Sequence, residues 1–278
     1  MQRIRKIVFF LANEFVYNGH LQSISASSVV YFSYIFIFQQ SVNYDILFVI
    51  YLLFESIFLF DRFKDIEIDK STNMERFRHI SRYREKTNII LISFLFLLFS
   101  ILIIKNNFWF TIYIAGVIIL GFLYPVYFKK VTSKIYFFKN FYVSSVYATL
   151  AFVPAIFVGD FNEHSVFVFS LYVFYEMFFS QMCLDFKDIK TDEERSLKTL
   201  PIVFGKKNAL YFLFLLVYLS PIFIYFADDS IVMTKLVISM VVTNIMILVM
   251  VKKNILYGYF LAAGKFILWY LVALALNI

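Results

Sequence analysis

The stretch DRFKDIEID, residues 61–69, places three aspartates four residues apart. Residues at this spacing lie on one face of an α-helix, so Asp61, Asp65 and Asp69 are expected to form a stripe of carboxylates. Like charges along a helix face repel each other by about a few tenths of a kcal/mol per pair. The stripe therefore favours a cation bound against it.

A second stretch, LDFKDIKTDEER at residues 184–195, repeats the pattern. Asp185, Asp188 and Asp192 stand at positions i, i+3 and i+7, which again predicts one helical face. Each stripe follows an apolar segment, and lysines and arginines surround both. Either stripe alone is typical of a solvated helix end, but two at matched positions favour a shared ligand.

These side chains are suited to magnesium. Carboxylate oxygens are hard ligands, and neither stripe contains a histidine or cysteine. Mg²⁺ usually binds through one or two carboxylates and completes its shell with water and substrate phosphate oxygens. The neighbouring basic residues could clamp the same phosphates. The pattern thus predicts Mg²⁺-dependent binding of a diphosphate.

The rest of the chain has the composition of a membrane protein. Of its 278 residues 62% are hydrophobic and 22% aromatic, with a mean hydropathy of +0.78; soluble domains have about 45–50% apolar residues. We predict an all-α, polytopic membrane protein, a bundle of nine transmembrane helices. The predicted spans are 22–42, 45–62, 88–104, 108–128, 137–159, 164–186, 208–227, 230–250 and 255–276.

The basic residues predict the topology. Of the 26 lysines and arginines, 23 fall in the N-terminal segment or in the connections after the even-numbered spans. By the positive-inside rule these segments, including both stripes, are cytoplasmic, as in a multi-pass protein of the bacterial inner or plasma membrane type. The start, MQRIRKIVFFLANE, is interpreted as a short interfacial helix because its apolar run is too short for a signal peptide.

Several other classes of protein lack the necessary residues. None of the 7 glycines forms a phosphate-binding loop pattern, the 3 histidines form no metal triad, and the single cysteine excludes an internal disulfide. The net charge of +7 follows the topology, so no nucleic acid is expected as a partner. A diphosphate bound at the rim of a bundle with 38 phenylalanines indicates a substrate with a hydrocarbon tail, such as an isoprenyl diphosphate. Aromatic faces would stabilise the allylic cation left when the diphosphate departs.

The motifs resemble those of the UbiA superfamily of intramembrane aromatic and lipid prenyltransferases. The family's first motif, Asn-x-x-x-Asp-x-x-x-Asp followed by Asn-Pro-x-Arg, is similar to residues 61–69 followed by NMER at 73–76. Its second, Asp-x-x-x-Asp followed by Lys-Thr-Leu-Pro and a glycine, is similar to DFKDIKTD at residues 185–192 followed by KTLPIVFG at 198–205. The connection YPVYFKKVTSKIYFFKN, residues 124–140, resembles the family's Tyr-Pro…Lys…Lys-Asn region.

The resemblance implies one prenyltransferase domain over residues 1–278 with Mg²⁺ as cofactor. It implies metal binding and catalysis by Asp61, Asp65, Asp69, Asp188 and Asp192. It implies substrate contacts from Arg76, Lys70, Asn73, Tyr124, Lys130, Lys139, Asn140, Asp185 and Lys198. This chain departs from the pattern at Asp61, where the family has asparagine, and at Met74, where it has proline.

Glu55, Glu176 and Lys265 are charged residues that lie well inside the predicted spans. Glu55 lies six residues before Asp61, about 9 Å deeper at helical rise. Charged side chains at such depth usually face the interior and often have a function. Glu55 is therefore a candidate catalytic residue, whereas Glu176 and Lys265 could act on the acceptor or form a structural pair. His20, near the first span, is either interfacial or part of an acceptor pocket.

Three functions remain open. The first is transfer of a prenyl group from an isoprenyl diphosphate to a lipophilic acceptor, either an aromatic quinone precursor or a membrane lipid. The second is a membrane terpene cyclase of the same superfamily, which needs no acceptor. The third is a non-catalytic lipid-binding protein or transporter, which would release no diphosphate.

Overall fold

The computed structural model describes residues 13–15, 17–159, 161–227 and 230–269. All regular secondary structure in these residues is helical, which confirms the predicted all-α class. The α-helices are α1 (His20–Phe32), α2 (Tyr44–Thr72), α3 (Met74–Ile80), α4 (Thr87–Lys105), α5 (Phe108–Leu123), α6 (Lys129–Val131), α7 (Phe138–Thr149), α8 (Glu163–Asp185), α9 (Ile189–Glu194), α10 (Leu200–Leu219), α11 (Ile222–Phe226), α12 (Ser230–Lys252) and α13 (Leu256–Gly264). Ser33–Ile37 and Tyr124–Phe128 are π-helical, and Ser81–Tyr83 and Leu150–Ile156 are 3₁₀-helical. The predicted interfacial helix lies almost entirely outside the described residues.

The chain forms two compact units. The first contains the described parts of Met1–Ile24 together with Tyr44–Phe128. The second contains Ser25–Asn43 and the described parts of Lys129–Ile278. The first aspartate motif belongs to the first unit and the second motif to the second, so each is described by itself.

Five helical segments within the described residues are long and apolar enough to cross a membrane. They are Thr87–Lys105, Phe108–Val131, Glu163–Asp185, Leu200–Phe226 and Ile231–Lys252. Helix α1 has 13 residues, so by itself it is too short to cross a membrane. In α2 every 18-residue window contains at least three charged residues, either Asp45, Glu55 and Asp61 or Glu55, Asp61 and Arg62. The predicted count of nine spans stays a prediction.

Helix α2 carries the first motif and forms the core of its unit. Its 29 residues span about 43 Å, more than the ~30 Å of a hydrocarbon core, so an apolar first part and a charged last part fit on one helix. The first part buries Ile50 and Leu53, among other residues. The close approach of α5 depends on Gly121, where a Cβ would lie 2.4 Å from Ile57 Cδ1. The prediction that one helix continues from the apolar segment into the carboxylate stripe is confirmed.

Helix α8 carries the start of the second motif and is the most buried span. Of the 18 most apolar consecutive residues in α8, 72% are buried, against 17% for the corresponding stretch of α4. Its last turns contribute Phe179, Met182 and Cys183 to a core shared with Leu213 of α10 and Ile247 of α12. This packing fixes the helix end at which Asp185 lies.

The prediction of one helical face for the second motif is wrong. Helix α8 ends at Asp185, and the amides of Phe186, Lys187 and Asp188 bond to carbonyls three residues back, at 3.3, 3.0 and 3.2 Å. These are turn bonds, and helical bonding resumes when the Asp192 amide donates to the Asp188 carbonyl at 2.8 Å. The spacing argument fails because it requires one uninterrupted helix, whereas the turn bonds of residues 186–188 separate Asp185 at the end of α8 from Asp192 in α9.

Candidate functional site

The first motif surrounds a buried ion pair. The carboxylate of Asp69 is fully buried, and the Arg76 guanidinium holds both of its oxygens, with Nε donating to Oδ2 at 2.7 Å and Nη2 donating to Oδ1. Asn73 caps α3, since its Oδ1 accepts the Arg76 amide at 3.2 Å. The cap starts α3 in the direction that returns Arg76 to α2. The structure thus brings together three of the residues predicted from the sequence.

A polar cluster near the N-terminus holds α3 in place. Glu14 Oε2 lies 2.8 Å from Nε2 of the buried His79 and accepts the Tyr83 hydroxyl at 2.9 Å. Tyr17 donates its hydroxyl to Glu75 Oε2 at 2.9 Å, and burial raises its pKa to about 12, so it remains a donor at neutral pH. These contacts fix the helix that carries the arginine of the buried ion pair.

The chain bends at Gly19 immediately before α1. Gly19 has a φ of +105°, and a Cβ there would lie 2.8 Å from the Phe58 Cβ of α2. Arg62 holds the same segment, with Nη1 donating to the Tyr17 carbonyl and Nη2 donating to Gln22 Oε1 at 3.2 Å. The start of α1 is therefore seated closely on α2, one turn before the aspartate stripe.

The second motif is neutralised from a different helix. Lys139 Nζ, at the start of α7, lies 2.9 Å from Asp185 Oδ1 and 3.6 Å from Asp192 Oδ2. Asn140 donates Nδ2 to Asp185 Oδ2 at 2.8 Å. Burial raises the pKa of the Asp192 carboxyl, and Lys139 opposes that shift. Four residues predicted separately from the sequence therefore form one cluster.

Lys198 precedes α10 in a loop tied to the α6–α7 connection. Its amide donates to the Thr132 carbonyl at 3.0 Å, and its carbonyl accepts the Phe137 amide at 3.1 Å. Its Nζ donates to the Lys134 carbonyl at 3.2 Å and lies 4.8 Å from the centre of the Tyr136 ring. This ammonium is fixed by carbonyl and ring contacts rather than by a carboxylate.

The remaining predicted residues are closer to solvent. Asp61, Asp65, Asp188 and Tyr124 are partly exposed. Lys70 and Lys130 are exposed, and the structure places neither in the two carboxylate clusters. Tyr124 begins the π-helical turn after α5.

A further polar cluster, centred on Glu55, connects α1 and α2 inside the first unit. Glu55 is 1% exposed; its Oε2 accepts the Ser23 hydroxyl at 2.8 Å and lies 3.1 Å from His20 Nδ1. The Tyr51 hydroxyl lies 2.9 Å from the same Nδ1. Sequence reasoning missed Ser23 and Tyr51, although Tyr51–Glu55 at i, i+4 and His20–Ser23 at i, i+3 each define one helix face.

The charged residues deep in the second unit form a pair. Lys265 Nζ lies 2.5 Å from Glu176 Oε2, and both side chains are fully buried. Asn244 joins them, with Nδ2 donating to Glu176 Oε2 at 2.9 Å and Oδ1 accepting from Lys265 at 3.2 Å. Lys265 also lies 4.9 Å from the centre of the Phe179 ring. The alternative of a Glu176–Lys265 pair is confirmed.

The second unit also contains a cavity of about 520 Å³ with both aromatic and polar lining residues. Phe32, Phe36 and Phe169 line it, with Asn162 and Ser165 at the start of α8. Phe169 precedes Asp185 by 16 residues, about 24 Å along the helix. The cavity and the second motif are therefore at opposite ends of α8.

The chemistry of the carboxylates fits a hard divalent cation. In the described part of the chain no three Asp, Glu, His or Cys side chains are grouped so as to hold an ion alone. Mg²⁺ commonly takes only one or two protein carboxylates and completes its shell from water and phosphate. Within the described chain Asp192 Oδ2 is buried and accepts no hydrogen bond, and the Lys139 ammonium faces it at 3.6 Å, beyond hydrogen-bond distance, so an oxygen lone pair remains for a cation.

The sequence matches a known protein family over most of its length. A profile of the UbiA prenyltransferase family matches residues 27–277. The chain belongs to this family and is a prenyltransferase. Together with the five apolar spans, this identifies an integral membrane protein. No curated protein sequence matches the chain significantly.

Solved structures show a similar fold. A UbiA homologue from Archaeoglobus fulgidus bound to GPP and Mg²⁺ has 15% identity and a TM-score of 0.63, covering 92% of this chain and 98% of its own. A structure described as a UbiA homologue from Archaeoglobus fulgidus bound to DMAPP and Mg²⁺ has 15% identity and a TM-score of 0.62, covering 95% of this chain and 97% of its own. A structure described as a digeranylgeranylglyceryl phosphate synthase in membranes has 18% identity and a TM-score of 0.55, covering 92% and 99%. At these identities the likeness concerns the fold.

Proposed function

We propose that this member of the UbiA prenyltransferase family is a Mg²⁺-dependent intramembrane enzyme that transfers a prenyl group from an isoprenyl diphosphate to a lipophilic acceptor. The observation that carries the proposal is that each of two aspartate motifs contains a buried carboxylate held by a cationic side chain, Asp69 by Arg76 and Asp185 by Lys139. The similar solved structures that contain a prenyl diphosphate and Mg²⁺ support it.

The metal ligands in this proposal are the predicted aspartates Asp61, Asp65, Asp69, Asp188 and Asp192. With Mg²⁺ bound, the negative charge that the departing diphosphate gains is neutralised. Arg76 and Lys139 hold the buried Asp69 and Asp185 carboxylates in place through ion pairs. Lys198, whose ammonium contacts only a carbonyl and a ring among the contacts described above, is the side chain best suited to the diphosphate itself.

The protein binds the diphosphate, orients the prenyl group toward the acceptor and excludes water from the allylic cation. The diphosphate oxygens bind at the motifs while the prenyl tail extends among apolar side chains. The bond between C1 and the diphosphate oxygen breaks, and its electron pair leaves with the diphosphate. Aromatic faces stabilise the allylic cation, and exclusion of water directs it to the acceptor. The proposal includes nine spans with the N-terminus and both motifs in the cytoplasm.

Diphosphate release from geranyl, farnesyl and geranylgeranyl diphosphates tests this function. Purified protein in detergent would be assayed with and without Mg²⁺ and with and without native membrane lipid extract. We expect release that requires Mg²⁺ and increases with the extract, and mass spectrometry would identify the prenylated acceptor. Release without extract that yields a cyclised hydrocarbon would favour the cyclase, and release that yields the free prenyl alcohol would be a hydrolytic side reaction. No release under any condition would overturn both enzymatic functions.

Matched variants separate the motifs from general acidity. Asp65→Ala and Asp188→Ala should each lower turnover by at least about 100-fold, because charge stabilisation of this kind is commonly worth that much. Glu67→Ala and Glu193→Ala remove exposed acids beside the same motifs and should leave turnover within about twofold. Equal losses in all four variants would contradict the assignment.

A further inference from the structure

The Glu55 cluster arranges a histidine as a base. His20 Nδ1 lies 3.1 Å from Glu55 Oε2 and 2.9 Å from the Tyr51 hydroxyl oxygen. A carboxylate at this distance favours the tautomer in which Nδ1 carries the hydrogen, since a bare Nδ1 lone pair would face negative charge. We assign the hydrogen to Nδ1, which leaves the Nε2 lone pair as the proton-accepting atom.

The cluster is rigidly supported on three sides. Ser23 donates to the same Glu55 oxygen at 2.8 Å, so the carboxylate cannot turn away from the imidazole. The Tyr51 ring stacks on the imidazole at a centroid distance of 6.1 Å and an interplanar angle of 15°. Gly19, immediately before His20, lets α1 start in contact with α2. A histidine oriented by a buried carboxylate is the arrangement that nucleophile-activating sites use.

The position of the cluster relates it to the first motif. Glu55 and Asp61 lie on the same continuous helix, six residues and about 9 Å apart along its axis. Arg62, next to Asp61, holds the segment that leads into His20 through Tyr17 and Gln22. The His20 side chain remains 18% exposed, so it is reachable, whereas the Glu55 side chain is 2% exposed. His20, rather than Glu55, is therefore the group that an acceptor could contact.

We propose that His20 Nε2 is the general base that takes the proton from the acceptor during prenyl transfer, with Glu55 as its positioning residue. In the step, an electron pair of the acceptor forms the bond to C1 of the prenyl group, and the C1–oxygen bond breaks toward the diphosphate. The acceptor's proton moves to His20 Nε2, and the resulting imidazolium is compensated by Glu55. The acceptor is thus an amphiphile with a hydrogen-bearing nucleophilic atom.

This inference rests on the proposed function, and its test uses the product distribution. His20→Asn retains an amide N–H near the Nδ1 position and can still donate to Glu55, but it has no basic nitrogen. With geranyl diphosphate, Mg²⁺ and native lipid extract, we expect prenylated acceptor to fall by about 10²–10⁴-fold, the usual value of a general base. The rate of diphosphate release by His20→Asn without extract should stay within about threefold of the wild-type rate. Water then takes the place of the acceptor, and the prenyl group should appear as the free alcohol.

Rescue distinguishes a base from a structural histidine. His20→Ala should lose transfer in the same way and regain at least about tenfold when imidazole is added, because the removed ring leaves space for one. Glu55→Gln should retain the base but lower transfer by a smaller factor, with no response to imidazole. His164→Gln, which removes an exposed histidine of the second unit, is the control for histidine loss and should equal wild type.

The outcomes separate the two claims. Wild-type transfer together with equal transfer by His20→Asn overturns the inference and leaves the proposed function standing. The same holds if His20→Asn and His20→Ala lose diphosphate release and transfer in parallel without rescue, since this indicates a structural role. A wild-type protein that releases no diphosphate overturns the proposed function.

Discussion

The two aspartate motifs have nearly the same spacing, yet their buried carboxylates are neutralised in different ways. In the first motif Asp69 and Arg76 are seven residues apart, joined by one helix cap, and the guanidinium holds both carboxylate oxygens. In the second, Lys139 comes from a helix 46 residues before Asp185 and contacts two carboxylates by a single ammonium. The first pair is local and planar, whereas the second depends on the packing of α7 against α8.

The difference shows how one chemical requirement can be met by two kinds of folding information. A continuous helix followed by a capped short helix brings the first pair together within residues 61–76, and Glu14 and Tyr17 hold the short helix in place. The second site exists only after distant helices have packed, and α8 ends at the residue, Asp185, that Lys139 contacts. Substitutions at the two sites should therefore lower the free energy of unfolding by different amounts. The sites should also differ in how well an exchange between arginine and lysine is tolerated and in their sensitivity to backbone changes.

The largest effect is expected from removing the cation of each pair. Breaking a buried pair costs about 3–5 kcal/mol, because the remaining carboxylate stays buried and uncompensated. Lys139→Met strands both Asp185 and Asp192, so it should lower the free energy of unfolding more than Arg76→Met, which strands Asp69 alone. Unfolding by SDS in mixed micelles, followed by circular dichroism, measures both.

The conservative exchanges sharpen that result. Lys139→Arg keeps the charge at a site that requires a point contact and should recover most of the stability. Arg76→Lys loses the two-pronged contact with Asp69 and should recover less than half of it, since lysine cannot match the planar fork. Equal recovery at both sites would contradict the distinction between them.

The next largest effects are expected from replacing two glycines that have positive φ angles. Gly205 in α10 has φ +74° and ψ 156°, a region essentially restricted to glycine, but a Cβ there would meet nothing within 4 Å. Gly205→Ala should cost about 1–3 kcal/mol from strain alone. Gly19→Ala adds a 2.8 Å contact with Phe58 and should cost more. The same SDS titration compares them, and a smaller loss at Gly19 would contradict the close seating of α1.

Removing the cap of α3 should have a smaller effect, confined to the first motif. Asn73→Ala loses the hydrogen bond to the Arg76 amide and should cost about 1 kcal/mol. Asn73→Ser, which can still cap, is the control and should cost only a few tenths. A loss in the alanine variant as large as in Arg76→Met would show that the cap, rather than the ion pair, holds this region.

The smallest effect is expected for Asp61→Asn. This exchange restores the amide that the resembled family has at this position and keeps the side chain's size. We expect turnover within about threefold of wild type in the diphosphate-release assay, because Asp65 and Asp69 retain the two carboxylates that Mg²⁺ commonly takes. A loss as large as that of Asp65→Ala would make Asp61 an essential ligand in this chain.

Much of the fold could be predicted from local pattern. The apolar segments predicted at 88–104 and 164–186 are observed as the helices Thr87–Lys105 and Glu163–Asp185, because long apolar runs with charged ends fix helix limits. The seventh span, predicted at 208–227, is observed from Leu200, since Lys206 and Lys207 look like loop residues but continue the helix beyond Gly205 on an exposed side. The early start of this helix and its interruption at Gly205 could not be predicted from the pattern of apolar and charged residues.

The candidate site shows the same limit. Spacing and family resemblance identified Arg76, Lys139 and Asn140, but not which carboxylate each would contact. The approach of His20 and Ser23 to Glu55 lay beyond sequence reasoning, because 35 and 32 positions separate these residues from it and no spacing relates residues on two helices. Such pairs are identified only once the helices are packed.

The Glu176–Lys265 pair has a consequence for how the protein is made. The two residues are 89 positions apart, so at roughly 5–20 residues per second the glutamate leaves the ribosome about 5–20 s before its partner. During that interval α8 must enter the membrane with an acidic side chain that the later helix has not yet reached. Assembly of the second unit is therefore completed from its C-terminal end, and a chain cut before Lys265 would leave its most buried helix with an uncompensated charge.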